Sequence, residues 1–164
     1  ENSKKTPEVI EKLSAILDYI LYRCGDTFVT LQKEIELIEN YLALEELRYE
    51  DRVIISFENK VNRDAKIAPL LLLTFIENAF KHGISQEIKK GKVALKIELI
   101  NDTIIFFIEN TKPEVVLKKS EEENPSIGLK NVKNQLELLY PNMHNLVIKN
   151  ENERYSVTLK LKDK

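Results

Sequence analysis

Residues 70–83 read LLLLTFIENAFKHG, and this stretch predicts a helix around which the rest of the chain is arranged. Pro69 suits the first position of a helix, and Gly83 suits a left-handed residue just after the last turn. Because nearly every residue between them is apolar, we expect the helix to be buried on most of its circumference. At about 100° per residue, the exceptions fall on one narrow stripe: Thr74, Glu77, Asn78 and Lys81, with His82 at its edge.

Two interpretations of this stripe stay open on spacing alone. A carboxylate, an amide and an ammonium on a buried helix are costly unless they meet a cleft or a ligand. The alternative is an internal ion pair between Glu77 and Lys81, one helical turn apart, beside a hydrogen-bonded Asn78. The first interpretation predicts a binding site, and the second predicts a polar contact inside the core.

The composition favours a single soluble domain. The 164 residues are enough for one domain with a core, with or without a short helical appendage. Hydrophobic residues make up 43% and charged residues 32%, which is typical of globular rather than disordered proteins. The net charge of −2 offers no attraction for nucleic acid, so we expect no nucleic-acid partner. Cys24 is the only cysteine, and a lone thiol suits a reducing compartment.

We expect no membrane span within this sequence, because no apolar run approaches about 20 residues. No signal peptide opens the chain, and a start at Glu1 without Met is typical of a truncated chain. Any membrane anchor of the parent protein is therefore expected upstream of Glu1.

The first two predicted helices cover residues 7–24 and 30–49. In the first, Thr6 suits the N-cap and Pro7 the first position, and apolar residues recur at the steps of helices packed nearly parallel. We favour a bundle or dimer element for it, the alternative being a helix that simply covers the main domain. Thr30 caps the second helix, whose glutamate-rich outer face is predicted to be solvated: Glu34, Glu36, Glu39, Glu45 and Glu46.

The remaining elements predict the fold class α+β. Residues 53–61, 92–99 and 103–108 alternate as half-buried strands, with a tight hairpin turn at Asn101-Asp102. Residues 111–125 predict a long loop, followed by a helix to Tyr140 and a second hairpin. Helices on one face of hairpin-paired strands make a two-layer α/β sandwich rather than a parallel βαβ fold.

Two further features accompany the stripe. Glu109-Asn110 stands where a strand ends and the long loop begins, a usual place for ligand contacts. Residues 126–131 read SIGLKN, a small-residue turn that opens a helix, and backbone N–H groups at a helix start suit an anion. Taken singly, each feature is more typical of a strand cap or a turn than of a site. No P-loop, G-x-G-x-x-G pattern or metal-ligand spacing occurs.

Residues 77–83 (ENAFKHG) and 127–131 (IGLKN), with a loop between them, resemble the N-box and second glycine box of histidine kinases. The arrangement is similar to the ATP-binding superfamily that histidine kinases share with gyrase, Hsp90 and MutL. The chain resembles sensor histidine kinases of the autolysin-regulator type in three stretches: residues 31–49, residues 67–83 and the helix to Tyr140. The stretch LSAILDYILYR over residues 13–23 fits the part just after the acceptor helix of that branch.

The resemblance covers nearly the whole chain. It implies a Bergerat-type ATP-binding fold with a mixed, mainly antiparallel sheet in residues 29–164. Residues 1–28 would be a remnant of the helical dimerisation region, and residues 111–125 would be the ATP lid.

The resemblance also implies roles for single residues. Asn78 would hold the Mg²⁺ that bridges the ATP phosphates, and Glu77 would polarise an attacking group or orient Asn78, which makes both predicted catalytic residues. Lys81 and His82 would lie toward the phosphates. The full predicted ATP-binding set is Asn78, Lys81, His82, Asn110, Lys112, Ile127, Gly128, Leu129, Lys130 and Asn131, with ATP and Mg²⁺ as cofactors.

The implied function is the catalytic region of a two-component sensor histidine kinase. It would move the γ-phosphate of ATP to a histidine upstream of Glu1 and then to an aspartate of a response regulator. The implied partners are that regulator and a second copy, paired through the helix over residues 7–24. The implied location is a cytoplasmic domain of a parent protein anchored in the bacterial inner membrane.

The chain departs from the family pattern at three points. Asn110 stands where the family has an Asp that accepts from the adenine amino group, and Ser126 stands in place of a Gly. The acceptor motif, roughly Pro-His-Phe-Leu, is absent, so we expect no self-phosphorylation. Two alternatives therefore stay open: a nucleotide-poor, dimerising signal-relay module, and a related ATP-dependent serine kinase that acts on a regulatory protein.

Overall fold

A computed structural model describes residues 2–23, 25–84, 90–112 and 127–163, apart from the side chains of residues 2–4, Arg23 and His82. Cys24, Ser126 and most of the predicted lid lie outside the described residues. A 3-10 turn covers Glu50–Arg52 and a π-helical turn covers Phe80–Ile84. The other elements are α1 (Asn2–Arg23), β1 (Val29–Thr30), α2 (Leu31–Tyr49), β2 (Val53–Lys60), β3 (Lys66–Ile67), α3 (Leu71–Ala79), β4 (Gly91–Ile100), β5 (Thr103–Thr111), α4 (Ile127–Leu139), β6 (His144–Asn150) and β7 (Arg154–Lys162).

The main sheet has five strands in the order β2-β4-β5-β7-β6. Its neighbouring strands are antiparallel except β2 and β4, which run parallel because α3 crosses between them. Asn101 and Asp102 join β4 to β5 with φ of 46° and 61°, as a two-residue type I′ turn requires. The predicted hairpin and the mixed, mainly antiparallel sheet are thus confirmed. The short β1–β3 pair is an addition that the sequence patterns do not predict.

The helices pack on one face of this sheet. Along β5, the buried side chains Ile104, Phe106 and Ile108 alternate with half-exposed side chains on the opposite face. Phe75 of α3 packs on Phe106 with the ring centroids 5.9 Å apart, so α3 lies over the middle strand of the sheet. This arrangement confirms the predicted two-layer α+β sandwich.

α1 begins at Asn2 rather than at the predicted Pro7, which lies inside the helix. The fixed φ of Pro7 fits a helix, but inside a helix proline removes the hydrogen bond to the residue four before it and crowds that carbonyl group, so its position here costs stability. Ile16 packs with Leu37 of α2 and Leu73 of α3 in a small cluster beside the main core. Other large apolar side chains of α1 are exposed: Ile10, Leu13, Leu17, Ile20, Leu21 and Tyr22. None of the described helices has the length and hydropathy needed to cross a membrane.

α2 has its predicted cap but not its predicted solvated face. The side chain of Thr30 accepts a hydrogen bond from the backbone N–H of Lys33 at 3.4 Å. The prediction that Glu34 and Glu45 are solvated is wrong, because they are only 0% and 7% exposed. Each glutamate follows a buried leucine by three residues, at Leu31 and Leu42, and therefore shares the packed side of the helix.

α3 differs from the predicted helix at both ends. It begins at Leu71, after Leu70, whose φ of 62° separates Pro69 from the helix. The prediction of a left-handed Gly83 is wrong, because no described glycine has a positive φ. Gly83 lies instead inside the π-helical turn that extends α3. Such turns are often found at functional sites.

Phe106→Ala tests which face of the sheet the helices cover. Phe106 is fully buried against Phe75, whereas the next residue, Phe107, is half-exposed on the opposite face. We expect F106A to lower the free energy of unfolding by about 3–5 kcal/mol and F107A by about 1 kcal/mol. Urea denaturation measures both values, and equal losses would contradict this assignment of faces.

Candidate functional site

The polar stripe of α3 is open to solvent rather than enclosed in the core. Glu77 and Lys81 are exposed and Thr74 and Asn78 are half-buried, while the other residues of α3 are buried. A buried Glu77–Lys81 ion pair is therefore excluded. What remains is an open face of the helix that a ligand could reach.

Glu77 is directed toward α2. It lines a cleft of about 290 Å³ with Lys81 and with Tyr41, Glu45 and Arg48 of α2. Partial shielding from solvent in this cleft and the nearby Glu45 carboxylate raise the pKa of Glu77, against the opposing effect of the Lys81 ammonium. The described residues that line this cleft do not include Asn78, so the neighbours Glu77 and Asn78 serve different sides of α3.

Glu45, which the sequence pattern places on a solvated face, is instead a buried carboxylate beside this cleft. Its Oε1 lies 3.7 Å from Nη1 of Arg48, and its Oε2 is buried without a hydrogen-bond partner among the described residues. Burial raises the pKa of Glu45, while the Tyr41 hydroxyl and the Arg48 guanidinium lower it. The available signal was the three-residue spacing from Leu42, on the apolar side of α2.

Asn110 lies at the end of β5, on the face that the helices cover, and is 3% exposed. Its Nδ2 donates to the carbonyl oxygen of Thr111 at 3.0 Å. A Cβ at Gly83 would lie 1.9 Å from Asn110 Nδ2 and 2.9 Å from the Thr111 carbonyl oxygen. Only glycine therefore allows the turn after α3 to approach Asn110 this closely. The structure thus joins two features that the sequence placed 27 residues apart.

Gly128 brings the start of α4 to the same helix. A Cβ at Gly128 would lie 3.3 Å from Cγ2 of Thr74, which is one helical turn before Asn78. The first N–H groups of an α-helix have no partner within the helix, and they favour anions. The stripe of α3 therefore lies between the buried amide of Asn110 and the N-terminal turn of α4.

The other predicted site residues differ in their surroundings. The Nζ of Lys112 donates to Asn150 Oδ1 at 2.7 Å and to the Glu151 carbonyl oxygen at 2.8 Å, so its ammonium is held against the β6–β7 turn. Leu129 packs against the main core. The remaining three described residues of the predicted phosphate turn are exposed: Ile127, Lys130 and Asn131.

These groups fit a nucleotide with a metal ion on its phosphates. Asn78 offers an amide oxygen and Lys81 a cation, and Mg²⁺ usually takes one or two protein ligands beside phosphate oxygens. The N-terminal turn of the 13-residue α4 suits a phosphate group. Asn110 offers a carbonyl acceptor while its Nδ2 is bonded to Thr111, as an exocyclic amino group of a base requires.

Comparison with known proteins points to one family. The family model described as histidine kinase matches residues 1–53. The sensor histidine kinase YpdA of Escherichia coli (strain K12) is 28% identical, over 85% of this chain and 26% of its own length. The sensor histidine kinase/phosphatase LytS of Staphylococcus aureus is 33% identical, over 62% of this chain and 17% of its own length. The chain thus spans about a quarter or less of these curated relatives.

Solved structures share the fold. The catalytic domain of the histidine kinase ThkA matches with a TM-score of 0.57 and 16% identity, over 82% of this chain and 95% of that domain. ThkA in complex with the response regulator protein TrrA matches with a TM-score of 0.57 and 18% identity, over 94% of this chain and 48% of that chain. This fold is shared with the catalytic domain of a histidine kinase, and the sequence relatives confirm the resemblance to sensor histidine kinases of the LytS type.

Gly83→Ala tests the contact between the turn after α3 and Asn110. The added methyl would overlap the Asn110 amide, so we expect a loss of about 2 kcal/mol or more in the free energy of unfolding. Gly25→Ala is the matched control, since nothing lies within 4 Å of a Cβ there, and we expect a change within about 0.5 kcal/mol. Thermal unfolding compares the two variants, and a G83A protein as stable as G25A would show that the close contact is absent.

Proposed function

We propose that this chain, a relative of LytS-type sensor histidine kinases, is the ATP-binding catalytic region of such a kinase. In the full protein it would transfer the γ-phosphate of ATP to a histidine upstream of Glu1, and then to an aspartate of a response regulator. The observation that carries the proposal is the position of the open α3 stripe between Asn110 and the N-terminal turn of α4.

Each end of the nucleotide would have its own residues. Asn110 would accept a hydrogen bond from the adenine amino group through its carbonyl oxygen, without the negative charge of the family's Asp. Lys81 and His82 would contact the phosphates, and residues 127–131 would surround them at the start of α4. Residues 111–125 would close over the nucleotide as a lid. The position of Lys112 against the β6–β7 turn favours a role at the base of that lid.

Asn78 would hold Mg²⁺, which neutralises charge on the phosphate oxygens during transfer. Glu77, which lines the cleft shared with α2, would polarise an attacking group or orient Asn78. The exposed Lys81 ammonium lies beside Glu77 at the cleft shared with α2 and would add a positive charge near the phosphates. Amide, cation and helix N-terminus together suit the binding and orientation of a triphosphate.

The helical segment would serve dimerisation. Residues 1–28 would be the end of the dimerisation region and residues 29–164 the catalytic domain. The exposed apolar side chains of α1 support pairing with a second copy. The complex of ThkA with TrrA supports a response regulator as the second partner. A cytoplasmic location, with any membrane anchor in upstream segments, would follow from this function.

The relatives favour histidine kinase chemistry over the serine kinase alternative, because YpdA and LytS are both named sensor histidine kinases. The acceptor histidine would lie upstream of Glu1. We therefore infer that this chain binds nucleotide without phosphorylating itself.

Asn78→Asp tests the nucleotide site directly. We expect the unaltered chain to bind ATP in the presence of Mg²⁺ with a dissociation constant below about 1 mM, measured by isothermal titration calorimetry. The variant should bind at least about tenfold more weakly, because its carboxylate repels the phosphates.

Asn59→Asp makes the same charge change on β2 and is the matched control. Asn59 is exposed, and its Oδ1 accepts from the backbone N–H of Val61, which an Asp can retain. We expect its ATP affinity to be unchanged. Absence of binding by the unaltered chain at millimolar ATP would favour the nucleotide-poor relay module instead.

Leu17→Glu combined with Leu21→Glu tests the dimer. Both side chains are exposed on α1, and charges there should prevent a second copy from packing on this face. In the full-length protein we expect the double variant to be monomeric by light scattering at micromolar concentration. Leu138→Glu, at an exposed leucine of α4, should leave the dimer intact. A dimer that survives the double variant would contradict pairing through α1.

A further inference from the structure

The segment that leads into α3 is held by three hydrogen bonds, which its backbone N–H groups donate to side chains of distant elements. The N–H of Lys66 donates to Asp163 Oδ1, that of Ala68 to Tyr140 Oη, and that of Leu70 to Glu34 Oε1, each at 2.9 Å. Every second residue from Lys66 to Leu70 therefore donates its N–H to a side chain. The position of the first turn of α3 depends on these acceptors.

The hydrogen bond from Leu70 is the most informative of the three, because Leu70 has an unfavourable backbone conformation. Its φ of 62° is left-handed, which costs a leucine of order 1–2 kcal/mol. Such a conformation persists only where the surroundings determine it. The bond from the Leu70 N–H to Glu34 is one of these determinants, since it fixes the residue that directly precedes α3.

Glu34 also binds α1. The hydroxyl of Tyr19 donates to the same oxygen, Oε1, that accepts from Leu70. Glu34 is completely buried on α2, and its Oε2 has no hydrogen-bond partner among the described residues. One carboxylate oxygen thus joins three helices: α1 through Tyr19, α2 through its own backbone, and α3 through Leu70.

We call this contact of three helices at Glu34 the joint. A buried carboxylate is a costly way to make it. Burial raises the pKa of Glu34, although the bonds from Tyr19 and Leu70 lower it. Buried charged groups are seldom optimal for stability alone, and an apolar side chain packs in such a position without this cost. The arrangement is better suited to coupling the positions of elements than to adding stability.

The same helices also meet by direct packing. Ile16 of α1, Leu37 of α2 and Leu73 of α3 form the small cluster beside the main core. These apolar contacts hold the helices together without directional preference. The hydrogen bonds at Glu34, in contrast, depend on the position of Tyr19 along and around α1.

We propose that Glu34 is a positioning residue that couples α1 to the nucleotide-binding face of α3 through Tyr19 and the N–H of Leu70. A shift or rotation of α1 that removes the Tyr19 bond changes how Glu34 holds Leu70. Because α3 has only nine residues, its first turn cannot move without moving Asn78 near its other end. The effect on the nucleotide site at Asn78 rests on the proposed function, whereas the joint itself does not.

Tyr19→Phe tests the joint in the absence of nucleotide. The readout is amide hydrogen exchange by NMR at Leu70, with Leu136 in the buried part of α4 as the internal reference. We expect Leu70 to lose protection about tenfold relative to Leu136. Tyr22→Phe, at an exposed tyrosine of the same helix, should change neither amide. Equal loss at both amides, or no loss at Leu70, would overturn the proposal.

Glu34→Met separates the joint from direct packing. In that background Tyr19→Phe should have no further effect on Leu70, because the side chain that links them can no longer accept a hydrogen bond from either residue. If Tyr19→Phe has the same effect in both backgrounds, the coupling passes through the apolar cluster and the proposal fails. Circular dichroism confirms that each variant is folded, and the single Tyr19→Phe result decides the question if Glu34→Met is not.

The affinity for ATP with Mg²⁺ gives the second readout. We expect Tyr19→Phe to weaken it about threefold and Tyr22→Phe to leave it unchanged. A selective loss of protection at Leu70 without a change in affinity would overturn the link to the nucleotide site while leaving the joint. If the unaltered chain binds no ATP, the proposed function fails, and the hydrogen-exchange comparison still decides the joint.

Discussion

The packing of α3 on the middle strand of the sheet is the contact on which the other features depend. Phe75 lies on Phe106 of β5, and other residues of α3 meet α2 and α4. A helix enclosed in this way can carry polar side chains only where its surroundings leave it open. Thr74, Asn78 and Lys81 occupy that opening, so the core and the candidate site are two sides of one element.

The neighbours of α3 determine what the opening can bind. Gly83 lets the π-helical turn approach Asn110, and Gly128 brings the first turn of α4 close to Thr74. An uncharged amide and a helix N-terminus therefore lie on either side of the stripe. Two buried carboxylates of α2 also lie next to α3. Glu34 accepts a hydrogen bond from Leu70, just before the first turn of α3, and Glu45 lines a cleft with Glu77.

Local patterns predicted much of this structure. The Thr30 cap, the Asn101-Asp102 turn and the strand alternation each depend on a few neighbouring residues, and each is present. The errors at Glu34 and Gly83 concern contacts between distant residues. Glu34 belongs to a glutamate-rich run that predicts a solvated face. Its side chain is instead bound by Tyr19 of α1, 15 residues before it, and by Leu70 next to α3, 36 residues after it. Likewise, the reason for a glycine at Gly83 lies in Asn110, not in the helix that it follows.

The central claim is that Asn78, Asn110 and Gly128 belong to one nucleotide site, and NMR with a nonhydrolysable ATP analogue and Mg²⁺ tests it most directly. The account predicts that the backbone amides of these three residues shift together, with one common dissociation constant. Lys96 and Thr158, on the open face of the sheet, should not shift. Shifts confined to that open face, or no shifts at millimolar analogue, would contradict the account.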